Sequence, residues 1–90
     1  MLVALIARDK TGSLDTRMAN RAAHLDYITQ TGIVRQAGPL LDKEEQMIGS
    51  LLILEVEDME AAMTWAAGDP YSKAGLFKDV ELLPWKKVIG

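Results

Sequence analysis

The chain holds a single histidine, His24, within Arg21-Ala22-Ala23-His24-Leu25, and a single Asp-Pro pair, in Gly68-Asp69-Pro70-Tyr71. An imidazole titrates near neutral pH and so can take and return a proton under ordinary conditions. A carboxylate bonded to its other ring nitrogen fixes the tautomer and stabilises the charged form. Only folding can bring these two residues together, and as a pair they are the expected seat of general acid/base chemistry. Asp69 also has a local use, because an aspartate before proline commonly bonds the backbone donors of its own turn. Ser50, directly after Gly49, is a candidate for hydrogen-bonding a substrate. No acid or histidine stands within a few residues of it to suggest a nucleophilic triad.

Two arginines accompany the histidine. On a helix at about 100° per residue, Arg17, Arg21 and His24 form one polar seam at spacings of four and three. Arg21 falls almost inside the neighbouring apolar sector. It must therefore reach outward, pair with a carboxylate, or face a cavity that takes an anion.

The elements that position these residues are legible in outline. Leu2 to Ala7 is a continuous apolar run, the pattern of a strand buried on both faces. Ser13 or Asp15 caps a helix that runs to about Thr31, with Gly32 as its stop. Leu14, Met18, Ala22, Leu25 and Ile28 make its expected buried stripe; Ala19, Ala23 and Tyr27 face the other way, toward water. A short second strand spans Ile33 to Gln36 and breaks at Ala37-Gly38-Pro39, because proline cannot donate to a ladder and is confined to sheet edges. The longest strand, Ile48 to Val56, is apolar on both faces. Asp58 caps a second helix that Gly68 stops. Residues 71–75 form a connector, and Phe77 to Leu83 is the last strand, limited by Pro84. The order β-α-β-β-α-β predicts one α+β domain over residues 1–90, a ferredoxin-like sandwich.

Composition narrows the function classes. Ten basic and thirteen acidic residues give a net charge of −3, which speaks against a nucleic-acid partner. No apolar run reaches the length of a membrane span. The apolar start lacks the basic flank and cleavage context of a signal peptide, so the expected location is the cytoplasm. With no cysteine and one histidine, neither a thiolate nucleophile nor a transition-metal site is expected. No glycine-rich phosphate loop occurs, and no other cofactor is expected. Half of this small chain is apolar, and two helices cover only one side of a sheet, so a homodimer is the simplest way to cover the other.

The set Arg21-x-x-His24-Leu25, Ala37-Gly38-Pro39-Leu40, Gly49-Ser50, Asp69-Pro70-Tyr71-x-x-Ala74-Gly75-Leu76 and Pro84-Trp85 resembles the YCII-related (YciI-like) family along essentially the whole chain. The resemblance implies a dimeric α+β barrel in which two four-stranded sheets pack face to face. It also implies an active site pairing His24 with Asp69 and placing Ser50 in the same pocket. One such relative eliminates chloride from a hydroxylated ring, and related muconolactone isomerases move protons on small ring acids. The expected activity is therefore a lyase- or isomerase-type proton transfer on a small organic acid or hydroxylated ring. His24 and Asp69 would be catalytic, with Ser50, Arg21 and Arg17 holding the substrate. The alternative is a non-catalytic module that senses a small metabolite in the same pocket, since fold alone does not decide function.

Overall fold

The computed structural model describes all residues from Met1 to Gly90. The elements are β1 (Leu2–Asp9), α1 (Leu14–Thr31), β2 (Val34–Leu41), β3 (Met47–Glu55), α2 (Met59–Gly68), the single-turn helix α3 (Pro70–Lys73) and β4 (Phe77–Trp85). The strands form one antiparallel sheet in the order β2-β3-β1-β4. This is the ferredoxin-like α+β arrangement.

The pleat decides what each face carries. Leu5 lies between Leu52 and Leu82 across the sheet, and Ala7 lies between Ser50 and Val80. Val3, Leu5 and Ala7 of β1 join Leu52 and Leu54 of β3 and Ala62 and Trp65 of α2 in the core. Asp9 continues the same alternation and so points to the helix side. The opposite face carries Leu2, Ala4, Ile6, Leu51, Ile53, Leu83 and Trp85 with no helix over it.

The helix α1 is rolled relative to the stripe expected from hydropathy. Met18 is 51% exposed and Leu25 44%, whereas its buried residues are Arg17 and His24. Of the expected stripe only Ile28 packs on the core, and Tyr27, expected in water, packs beside it. The reason is energetic: Arg17 and His24 each meet a carboxylate under the helix, and a buried polar pair fixes orientation more stringently than a few methyl groups do. Two members of the polar seam, Arg17 and His24, are thus the buried residues of α1, while the third, Arg21, is exposed.

Both outer strands run through their prolines. Pro39 of β2 pairs with Ser50 in register, and Pro84 of β4 pairs with Val3. The expected break after Gln36 and the limit before Pro84 do not occur, because an outermost strand tolerates a missing N–H. Gly32, at φ 68°, adopts the left-handed conformation that ends α1. The side chain of Asp58 accepts a hydrogen bond from Ala61 N at 2.8 Å and starts α2. No helix is long and apolar enough to cross a membrane.

Candidate functional site

His24 of α1 and Asp69, at the junction of α2 and α3, meet at 2.7 Å between Nδ1 and Oδ1. Both are buried, with 5% and 1% of their surface exposed. The residues 69–71 were expected to form a turn and connector; they instead open a helix, with Asp69 as its N-cap and Pro70 in its first turn. The same Oδ1 accepts a hydrogen bond from Tyr71 N at 3.0 Å. Asp69 therefore fills the local capping role and the long-range role at once. Its Oδ2 is buried without a partner. A carboxylate in that state favours a cationic neighbour.

The capping turn also aims Tyr71. Its ring stacks on the His24 imidazole at 3.9 Å between centroids and 14° between planes. One short helix thus supplies both the carboxylate that orients the imidazole edge and the surface that fixes its plane. With Nδ1 donating to Asp69, the neutral ring leaves Nε2 as the basic nitrogen. That nitrogen has no hydrogen-bond partner in the protein, and His24 lines a cavity of about 120 Å³.

The arginines have different positions. Arg17 is held by Asp9 through two bonds, Nε to Oδ2 at 2.7 Å and Nη2 to Oδ1 at 2.9 Å. Nη2 also donates to Ser50 Oγ at 2.9 Å. Burial works against the Arg17 charge, but the Asp9 carboxylate prevails and holds the guanidinium above its ordinary pKa. Its ζ-carbon lies 4.6 Å from the Tyr71 ring centre. Arg21 is exposed, lines the same cavity and makes no ion pair. Burial pushes the Tyr71 phenol above its ordinary pKa, more than the charges of Arg17 and Arg21 pull it down.

The cavity therefore gathers His24, Ser50, Arg17, Arg21 and Tyr71 beside apolar Leu25, Ile28, Met47, Leu52 and Pro39. Ser50 Oγ accepts from Arg17, which leaves its O–H free to donate inward. A closed cavity of about 150 Å³ accepts a benzene ring, so this space of about 120 Å³ takes a small acid whole and a substituted ring only with part of it at the open mouth. No three histidine, aspartate or glutamate side chains gather as metal ligands. Sequence reasoning missed Asp9 and Tyr71. The signal for Asp9 was its odd-numbered place on the inward face of β1, where a carboxylate demands a cation. For Tyr71 it was the Asp-Pro helix start.

A four-stranded antiparallel sheet, helices on one face and a polar cluster beside a small open cavity define a ferredoxin-like α+β protein with a small-molecule pocket. The chain belongs to the YCII-related domain family, whose model matches residues 1–86. It is 38% identical to the protein YciI of Escherichia coli O6:H1, over 98% of this chain and 99% of that one. A protein of Haemophilus influenzae is 34% identical over the same shares. Among solved structures, 5-chloro-2-hydroxyhydroquinone dehydrochlorinase (TftG) from Burkholderia phenoliruptrix, in complex with 2,5-dihydroxybenzoquinone, is 35% identical. It superposes with a TM-score of 0.87 over 96% of this chain and 94% of that one. An antibiotic biosynthesis monooxygenase at 14% identity and a TM-score of 0.57, covering 97% and 100%, shares the fold.

Proposed function

We propose that this protein is a small enzyme that moves a proton on a hydroxylated ring or small ring acid, as a lyase or isomerase. The observation that carries the reading is the buried 2.7 Å contact between His24 Nδ1 and Asp69 Oδ1, which leaves Nε2 free beside a cavity of about 120 Å³. Likeness to a dehydrochlorinase at 35% identity supports the substrate class.

In this reading His24 Nε2 takes a proton from the bound ring, and Asp69 stabilises the imidazolium that forms. In an elimination, the electrons released expel a leaving group from the same ring. In an isomerisation, the imidazolium returns its proton at another carbon. The Ser50 hydroxyl orients a ring oxygen. Arg21, free of any carboxylate, holds an anionic substituent. Arg17 is already neutralised by Asp9, so its part is to hold Ser50 rather than to bind an anion unaided. The open sheet face, with Leu51, Leu83 and Trp85 exposed, is covered by a second copy of the chain.

The test is to incubate the protein with 5-chloro-2-hydroxyhydroquinone and a panel of small ring acids, following chloride release and ring absorbance. Turnover that His24→Ala abolishes while the fold persists supports the reading. Saturable binding of such compounds without conversion points instead to a sensing module.

A further inference from the structure

The end of α2 carries a bond that the chemistry above does not use. Within a helix, Trp65 O would accept from the N–H four residues on, that of Asp69. Asp69 N bonds Ala66 O instead, at 3.3 Å. Trp65 O receives its hydrogen bond from another element, the Tyr27 hydroxyl of α1, at 2.8 Å. Tyr27 stands three residues beyond His24, one turn along the same helix face. One segment of α1 thus presents the imidazole and, a turn later, grips the helix end from which the carboxylate emerges.

Gly68 shows how closely the two are fitted. It directly precedes Asp69, and a Cβ placed there would lie 2.5 Å from Tyr27 Oη and 3.2 Å from Cζ. Gly68 lies outside the left-handed region, so what a side chain here would disturb is the seat of the Tyr27 ring and not the backbone conformation. The hydroxyl occupies the volume that any side chain at position 68 would need. Burial, and after it the negative charge of Asp69, pushes the Tyr27 phenol above its ordinary pKa. The hydroxyl therefore keeps its proton as donor, and it sits within the field of the Asp69 carboxylate.

We propose that Tyr27 is the positioning residue of the His24–Asp69 pair: its hydroxyl, seated against Gly68 and bonded to Trp65 O, fixes the α2 end that delivers Asp69 to His24. The consequence for turnover rests on the proposed function, whereas the geometric part stands without it. A second link between α1 and α2, from Trp65 Nε1 to Thr31 Oγ1 at 2.8 Å, keeps the helices joined when the first is removed.

His24 is the only histidine, so its ring N–H signals in proton and nitrogen NMR belong to one residue. In the unaltered chain the Nδ1–H bonded to Asp69 gives a downfield resonance protected from exchange. Tyr27→Phe is expected to move that resonance upfield and speed its exchange, while Thr31→Val, which cuts the other link, leaves it in place. Gly68→Ala is expected to act like Tyr27→Phe in the native chain and to add less in the Tyr27→Phe background, where the oxygen is gone and only the milder 3.2 Å contact with Cζ remains. In turnover, Tyr27→Phe lowers kcat by up to about 10²-fold with KM nearly unchanged. A resonance unmoved by Tyr27→Phe overturns the proposal, and so does an equal response to Thr31→Val. Absence of the resonance in the unaltered chain overturns the His24–Asp69 pairing itself. A normal resonance response with no turnover on any ring compound leaves the positioning role standing and counts against the enzymatic reading alone.

Discussion

Arg17 grips Asp9 with two parallel hydrogen bonds, and the two side chains retain only 3% and 5% of their exposure to water. The bridge ties the first turn of α1 to the end of β1, and a third bond from Arg17 reaches Ser50 on β3. Removing one partner of such a bridge leaves a buried charge without compensation. Asp9→Asn is therefore expected to cost about 3–5 kcal/mol, read as a lower midpoint in urea unfolding. A loss of less than about 1 kcal/mol would class the bridge with solvent-exposed pairs.

The carboxylate of Asp69 can be neutralised without removing its cap. Asparagine caps helices about as well as aspartate, so Asp69→Asn is expected to retain α3 and the fold. It removes the charge that stabilises the imidazolium and frees the ring tautomer. Turnover is expected to fall by about 10²–10⁴-fold, with circular dichroism unchanged. Full activity in this variant would remove Asp69 from the mechanism.

Arg21 is the cavity cation without a carboxylate partner. A charge-assisted hydrogen bond contributes about 1.5–3 kcal/mol, so Arg21→Ala is expected to weaken an anionic ring ligand by about tenfold to a hundredfold in calorimetry. The exposed position makes the change harmless to folding. Equal binding of a neutral analogue by both forms completes the test; equal loss for charged and neutral ligands would mean that Arg21 shapes the cavity rather than reading charge.

How much of this was legible beforehand is seen best in α1. Its limits followed from the polar stretch before Leu14 and from Gly32, both local signals. Its roll did not follow, because hydropathy ranked Met18 and Leu25 above Arg17 and His24 as buried residues. That ranking holds only until carboxylates on distant elements, Asp9 and Asp69, offer partners. The residue types that could do chemistry were visible from composition, and the Asp-Pro turn marked its own position. The length of β2 was hidden because the effect of Pro39 depends on whether its strand is outermost, a property of the whole sheet. The same holds for Tyr71, whose direction is set by a helix of one turn.

The protein has two tyrosines, Tyr27 and Tyr71, and both phenols are held above the ordinary value of 10.0, chiefly by burial. A raised folded-state value means that the fold prefers the protonated form. The associated stability is complete below the unfolded value of about 10 and is lost as pH rises through the folded values. Alkaline titration followed by tyrosinate absorbance is expected to lag behind that of free tyrosine, with the urea midpoint falling over the same range. Absorbance that tracks the free amino acid would show the rings to be open to solvent.

The uncovered sheet face gives a prediction about mass. Leu51 sits on it, across from Ile6 and Gly38, and is 41% exposed. Sedimentation is expected to give about twice 9.9 kDa for the native chain. Leu51→Lys is expected to return it to the single mass without unfolding it. A native species at the single mass would leave the face to a different partner.

Pro39 and Pro84 lie on the two outermost strands, one at each margin of the sheet. An incoming strand docking edge to edge looks for a row of donors, and at each margin it meets a pyrrolidine ring that offers none. A chain this rich in exposed apolar residues is a candidate for runaway fibril growth. The two rings interrupt the template at both margins, so the sheet resists lengthening by added strands and leaves association to its faces rather than its edges.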